Sequence, residues 1–318
     1  MAARIRTKLD KLWKKVVDPN MPLEDDKTVP GDFLKEHNIH LISHEFQISS
    51  PTEANLSLNP PLLFKHRPRS DLVAHPINPD GYDSYDIIGS AELNFREFKP
   101  PCQYRKHPSV SLESSDVLDV GIWLPHGVLN LRQLWGINPV NAPHPKLPDI
   151  SGFEGGSTVY NRWDTEVYEY DMEGKRDLQS SHPHTILVST QSSNGKDQTI
   201  FQGELAAIVT AMRNRSRQPM VWKYEDSDDD DIQLKPKRTD EVVELALRFR
   251  NEKRFPVLMV SLVGPQHARI YYACMAGQDL VIPPVSSEEP RKKIHDTLDY
   301  LSCILLSSPL QENSSAGK

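Results

Sequence analysis

The chain has 318 residues, with 37 Lys and Arg against 44 Asp and Glu, and its formal net charge is −7. This surplus of acids disfavours duplex nucleic acid as the main partner, because binding phosphates requires an excess of Lys and Arg on one face. Its three cysteines, Cys102, Cys274 and Cys303, are too few and too far apart for a disulfide framework. Since no apolar run reaches membrane-spanning length and the first residues lack an apolar signal core, we expect a cytoplasmic or nuclear protein without a transmembrane segment.

Residues 1–20 are predicted to form a basic amphipathic helix. Apolar residues recur at helical spacing between Ile5 and Val16, and Lys and Arg occupy much of the remaining surface. One interpretation is a membrane-surface or targeting helix. The other is a terminal helix that docks on its own domain with its lysines in water, which the short length and Asp10 favour.

Residues 21–150 are rich in proline: 17 of the 26 prolines lie in the first 150 residues. Because proline lacks a backbone donor and has a fixed φ, long helices and central strands are disfavoured in this region. Short apolar runs bounded by turn-forming residues predict strands over 39–48, 85–95 and 117–124, and a short helix over 128–135.

Residues 151–309 are predicted to form the ordered core. The pattern predicts strands over 157–170, 184–190 and 279–282, a hairpin of 255–263 with 268–275, and helices over 200–214, 240–250 and 290–306. An acidic loop at 224–238 interrupts this region, and residues 310–318 are expected to be a frayed tail. The predicted fold class is therefore α+β, with a mixed sheet packed by helices in the C-terminal half and Pro-rich short strands and loops in the N-terminal half.

The usual catalytic and phosphate-binding signatures are absent from the sequence. It has no G-x-x-x-x-G-K-[ST], no G-x-S-x-G and no H-E-x-x-H motif. Closely spaced histidines occur at 37, 40 and 44 and again at 182 and 184. We interpret them as solvent-facing side chains rather than metal ligands.

Polar residues flank the apolar stripe of the helix at 200–214 and begin the second hairpin strand. These residues are Gln202, Glu204, His267 and Arg269. If the helix and the sheet pack face to face, the four side chains could line one groove. The alternative is that they lie at the boundary between the core and water.

A glutamine-bearing helix that follows a short buried strand and precedes an apolar hairpin resembles the core of the PD-(D/E)XK nuclease superfamily. That family places an Asp and a Glu-x-Lys on adjacent strands, where they hold a divalent metal beside the scissile phosphate. In this chain Asp164-Thr165-Glu166 or Gln191-Ser192-Ser193 would take those places, and neither provides the carboxylate-x-lysine pair. Only Glu204 and Gln202 can be carried over, so the resemblance implies a nuclease-like fold without nuclease activity.

The segments QGELAAIVTAMRNR and FPVLMVSLVGPQHARIYYA also resemble uncharacterised proteins of filamentous fungi. This second resemblance implies no activity.

The sequence leads us to expect a non-catalytic accessory or regulatory binding protein that needs no cofactor. It does not identify the partner, for which a protein is one interpretation. One alternative is a divergent phosphodiesterase that uses Mg²⁺ or Mn²⁺, held by Glu204 with Asp164 or Glu166. Another is an accessory enzyme of a fungal biosynthetic pathway, which would require an apolar pocket with a few convergent polar groups.

Overall fold

A mixed β-sheet runs through the centre of the protein. The computed structural model describes residues 1–18, 20–42, 63–70, 137–139, 152–155, 163–170, 182–196, 198–218, 247–264, 267–285, 300–301 and 303–310. The strands predicted over 85–95 and 117–124, the helix predicted over 128–135 and the acidic loop at 224–238 lie outside these residues.

The described helices are α1 (Ala2–Val16), α2 (Gly31–Glu36) and α3 (Gln202–Arg217). The described strands are β1 (Ile39–Leu41), β2 (Phe64–Lys65), β3 (Ile137–Pro139), β4 (Gly152–Gly155), β5 (Trp163–Tyr170), β6 (Thr185–Asn194), β7 (Val257–Gly264), β8 (His267–Ala276), β9 (Asp279–Ile282), β10 (Pro284–Val285) and β11 (Ser308–Pro309). This composition establishes the α+β class with a mixed sheet.

The main sheet has the strand order β1-β9-β8-β7-β6-β5-β3, with β10 paired to β8 and β4 paired to β5. Strands β6 and β7 are parallel, and α3 lies between them in the chain as the crossover. Strand β5 is antiparallel to β6, and β7 and β8 form the predicted antiparallel hairpin. Strands β2 and β11 form a separate two-stranded pair.

Side chains on the two faces of this sheet belong to two separate hydrophobic clusters. The face that packs against α1 and α3, called the helix face below, carries Leu187, Met259 and Tyr271. The opposite face carries Ile186 and Leu258 and packs against residues around 63–64 and 301–305. Because both faces are covered, β7 is a nearly continuous apolar run and β6 begins with one, from Ile186 to Val188.

Helix α3 is enclosed rather than half-exposed. The pattern predicts one apolar stripe over 200–214, and the structure confirms the helix and its position against the hairpin. However, all residues from 203 to 212 are buried. The reason is that α1 covers the side of α3 that faces away from the sheet.

Helix α1 docks on the protein through its apolar side, as the favoured interpretation predicts. Ile5, Leu9 and Val16 are each 0% exposed, and they belong to the same cluster as the α3 side chains. Lys11 and Lys15 point into solvent. Among the helices that the structure describes, none is both long enough and apolar enough to cross a bilayer.

The predicted ends of two elements, one helix and one strand, are wrong. The helix predicted over 240–250 does not include residues 248–250, which form a turn. The carbonyls of Phe249 and Arg250 accept hydrogen bonds from Arg6, a tertiary contact that no local pattern encodes. The strand predicted to begin at Ile39 ends at Leu41, where its pairing with β9 stops.

Candidate functional site

Four polar residues lie side by side across the helix face of the sheet. Thr165 of β5 pairs with Ser189 of β6, Ser189 pairs with Ser261 of β7, and Ser261 pairs with Arg269 of β8. We call these four residues the polar row. Thr165 Oγ1 donates a 2.8 Å hydrogen bond to Ser189 Oγ, and Gln191 Nε2 donates a second, of 2.9 Å, to the same oxygen. Thr165, Ser189 and Ser261 are fully buried, so the row is an internal feature of the protein.

The first turn of α3 lies directly against β5 and β6 because position 203 has no side chain. A Cβ atom on Gly203 would lie 2.5 Å from Cγ of Trp163 and 2.7 Å from Oε1 of Gln191. Contacts of that length are not tolerated, so a glycine is required for this close approach. The helix N-terminus is thereby placed beside the polar row.

Glu204 is completely buried, and its carboxylate has several partners. Its Oε2 accepts a 2.8 Å bond from the backbone N–H of Phe201 and a 2.9 Å bond from the hydroxyl of Tyr271. The Nη1 atom of Arg269 lies 3.5 Å from the same oxygen. A carboxylate at the third helical position is stabilised by the helix dipole and by the free N–H groups of the first turn.

Arg269 joins Glu204 to the loop before α3. Its Nη2 donates to the carbonyl of Thr199, and its guanidinium lies 5.2 Å from the ring centroid of Phe201 and 5.1 Å from that of Tyr271. Burial raises the pKa of the Tyr271 hydroxyl well above its usual value, and the nearby Glu204 carboxylate raises it further. Tyr271 therefore stays protonated and donates its hydrogen bond at any ordinary pH.

The structure brings together two of the six candidate residues, Glu204 and Arg269. Gln202 points elsewhere, since its Nε2 donates a 3.2 Å bond to the carbonyl of Val16 in α1. Glu166 accepts a hydrogen bond from Tyr168, which belongs to the cluster on the opposite face of the sheet. Because residues i and i+2 of a strand share a face, Glu166 and Glu204 lie on opposite sides of the sheet.

The last two candidates are placed by register alone. Asp164 pairs with Thr190 on β6 and with Glu154 on β4, and His267 pairs with Val263 on β7. Their side chains lie outside the described part of the structure.

His184 is buried, so its predicted exposure to solvent is wrong. Its Nε2 lies 3.0 Å from the carbonyl oxygen of Leu63, and its ring packs edge-on against Phe64. Burial lowers the pKa of His184 to about 3. Residues 63–64 come from a part of the chain more than 100 positions away, and no local pattern indicates that they cover this histidine.

His40, by contrast, is half exposed and lies 3.8 Å from Asp279. In the part of the chain that the structure describes, no group of three or more His, Cys, Asp or Glu side chains has a metal-binding arrangement.

Thr165, Ser189 and Ser261 were not predicted as site residues. A usable signal was present, because Ser189 ends an apolar run and Ser261 interrupts one in strands that are buried on both faces. Buried polar side chains are usually hydrogen-bonded inside the protein, as Ser189 is, whereas Ser261 Oγ has no hydrogen-bond partner among the described residues.

The fold and the site together define an α+β protein with two buried polar groups on the helix face of the sheet. One is formed by Thr165, Ser189 and Gln191 on β5 and β6, and the other by Glu204, Tyr271 and Arg269 where α3 meets β8. No family model, curated protein or solved structure significantly matches this chain.

Proposed function

We propose that the protein is a non-catalytic accessory or regulatory binding protein with a nuclease-like fold. The observation that carries this proposal is the state of Glu204, the one carboxylate that the family resemblance places on the crossover helix. It is fully buried and bonded to Phe201 and Tyr271, and Arg269 lies beside it as a counter-charge.

These contacts disfavour a catalytic metal at Glu204. A divalent cation requires several converging oxygen ligands and an open position for substrate or water. The guanidinium of Arg269, 3.5 Å from the carboxylate, takes the place that a cation would occupy and would repel one. The neighbouring strand positions on the helix face carry the neutral side chains of Thr165, Ser189 and Gln191.

The order of elements supports the proposed likeness to the nuclease core. Strand β5 is antiparallel to β6, and β6 leads through α3 into the parallel strand β7. In this proposal the polar residues at the helix–sheet junction stabilise the fold. An active nuclease would instead use carboxylates at this junction to bind metal. We further propose a cytoplasmic or nuclear location and a protein partner, because the sequence carries strongly charged segments and lacks a catalytic motif.

A cleavage assay tests this proposal. Full-length protein should leave single- and double-stranded DNA and RNA intact in Mg²⁺ or Mn²⁺, and the E204Q variant should behave identically. Neither ion should raise the melting temperature, since a ligand that binds only the folded state would do so. Metal-dependent cleavage that E204Q abolishes would favour the phosphodiesterase alternative.

The two alternative functions have no supporting observation among the described residues. The phosphodiesterase requires Glu204 to act with Asp164 or Glu166, and the position of Glu166 on the opposite face removes one of these pairings.

A further inference from the structure

Helix α1 presents a line of cations to solvent. Arg4, Lys8, Lys11 and Lys15 recur at i, i+4, i+7 and i+11, so they lie within about 60° of the helix circumference and span about 16 Å. Arg4, Lys11 and Lys15 are exposed, and Lys8 is half-buried, with its Nζ donating a 2.9 Å bond to the carbonyl of His37. We call these four residues the basic stripe.

The other charged groups of α1 do not neutralise the basic stripe. Asp10 lies on another side of the helix, where it forms ion pairs with Arg213, at 2.9 Å, and with Arg217. Within the described residues, Arg4, Lys11 and Lys15 form no ion pair. On α2, Glu36 precedes His37, and Glu36, Lys8 and Lys15 are the charges that act on the His37 ring. The stripe is therefore a locally positive surface on a chain whose net charge is −7.

The apolar side of α1 is not available to a partner. Ile5, Leu9 and Val16 are each 0% exposed in the hydrophobic core. Arg6 fastens the same helix to the protein, because its guanidinium donates to the carbonyls of Ser216, Phe249 and Arg250. A partner of α1 therefore contacts its outer side, through charge, while the helix stays docked.

We infer that the basic stripe docks the protein on an anionic lipid surface. A straight row of cations on a convex helix matches a planar anionic surface, which needs no groove for shape complementarity. Met1, which is 78% exposed, precedes α1 and lies within about 60° of the stripe around the helix axis, where a headgroup layer accepts an apolar side chain. An acidic protein segment would explain the stripe but not the exposed apolar side chain beside it.

The negative net charge of the chain does not prevent such docking at physiological salt. Charges farther away than the Debye length, about 8 Å, are largely screened, so the stripe acts through its local field. Each Lys or Arg next to an anionic bilayer raises partitioning about fivefold, so four such residues predict weak, reversible and salt-sensitive binding.

This inference goes beyond the protein partner proposed above, because it adds a membrane surface on which the binding protein docks. The two proposals fail separately. Metal-dependent cleavage would overturn the role, whereas vesicle binding reports on the stripe alone.

The test is co-sedimentation of the full-length protein with phosphatidylcholine vesicles that either contain or lack phosphatidylserine. We expect binding only to the vesicles with phosphatidylserine, and only at low salt. Reversing two charges in K11E/K15E should lower partitioning at least about 25-fold, the product of two fivefold factors. A milder variant, K11Q/K15Q, should show most of this loss, and thermal melts should show that both variants fold.

The matched control is K65E/K253E, which changes the net charge equally. Lys65 lies on β2, which packs on the opposite face of the sheet, and Lys253 follows the turn that contacts Arg6. This control should bind like the unmodified protein.

Three outcomes would overturn the inference. They are equal binding to vesicles of phosphatidylcholine alone, full binding by folded K11E/K15E, and binding to polyglutamate but not to vesicles. The last outcome would assign the stripe to an acidic protein partner.

Discussion

Arg6 of α1 donates a 2.8 Å hydrogen bond from Nε to the carbonyl of Ser216, in the last turn of α3. Its Nη2 donates to the carbonyls of Phe249 and Arg250, at 2.6 and 2.9 Å. One buried cation thus satisfies carbonyls of a helix end and of a turn far away in sequence, and it lies where the α3 dipole is negative. Burial lowers the pKa of Arg6, but an arginine so bonded stays charged.

Replacement of Arg6 by alanine should destabilise the protein. Hydrogen bonds from a charged donor contribute about 1.5–3 kcal/mol, and the carbonyls left unpaired add a desolvation cost, so we expect a loss of about 2–4 kcal/mol. Urea unfolding measures this loss. The control is Arg4→Ala, an exposed position on the same helix, which should change stability by less than about 0.5 kcal/mol. Equal effects at both positions would show that Arg6 has no special role.

Breaking the Glu204–Arg269 pair from one side should cost more than breaking it from both. In Glu204→Gln the guanidinium of Arg269 loses its counter-charge in a buried site, which typically costs about 3–5 kcal/mol. The double variant E204Q/R269Q contains no unpaired charge, so its loss should be smaller than the sum of the two single losses. The unfolding free energies of the three variants give the interaction energy between Glu204 and Arg269. A double variant whose loss equals the sum of the two single losses would contradict a structural ion pair.

Gly203 should not tolerate a methyl group. In Gly203→Ala the new Cβ would lie 2.5 Å from the Trp163 ring, so either the ring or the helix N-terminus must move. Overpacking of this kind typically costs about 1–3 kcal/mol. Gly31→Ala is the matched control, since a Cβ there would meet nothing within 4 Å and α2 would gain a better helix former. The melting temperatures of the two variants test this prediction, since Gly203→Ala should melt well below Gly31→Ala. Similar melting temperatures would contradict it.

Stability should fall when the pH drops below neutrality, because the buried His184 and the half-buried His66 are both neutral in the folded protein. Burial lowers the pKa of His66 to about 4 and that of His184 to about 3. In the unfolded chain both titrate near pH 6.5, so between that pH and pH 4 the unfolded state binds more protons than the folded state. Stability is therefore full above pH 6.5 and declines as the pH falls toward 4, by about 3 kcal/mol for His66 alone.

Urea unfolding at a series of pH values measures this decline. The variant His66→Gln removes one titrating group, so it should lower stability at neutral pH and flatten the dependence between pH 6.5 and 4. An unchanged slope in the variant would show that another group is responsible.

Helix α3, the β7–β8 hairpin and strand β9 could all be predicted from the sequence. In each, apolar residues recur with the period of the element, and residues such as Gly264 and Pro265 break the pattern between strands. The docked position of α1 could also be predicted from the sequence, because Ile5, Leu9 and Val16 fall on one side of a short helix. Local periodicity indicates which side of an element is buried, and this can be predicted without knowing which segment packs against it.

The tertiary structure decided what the polar residues do. Glu204 and Arg269 are 65 positions apart in the sequence, and only the packing of α3 on β8 makes them partners. Thr165, Ser189 and Ser261 form a row because the register of three strands aligns them, and strand register depends on contacts between distant segments. The sequence alone determined α1, α3, the β7–β8 hairpin and β9, with their apolar sides. The pairing of charges and the burial of His184 came from the fold, because a hydrogen bond or an ion pair depends on distances that no local pattern encodes.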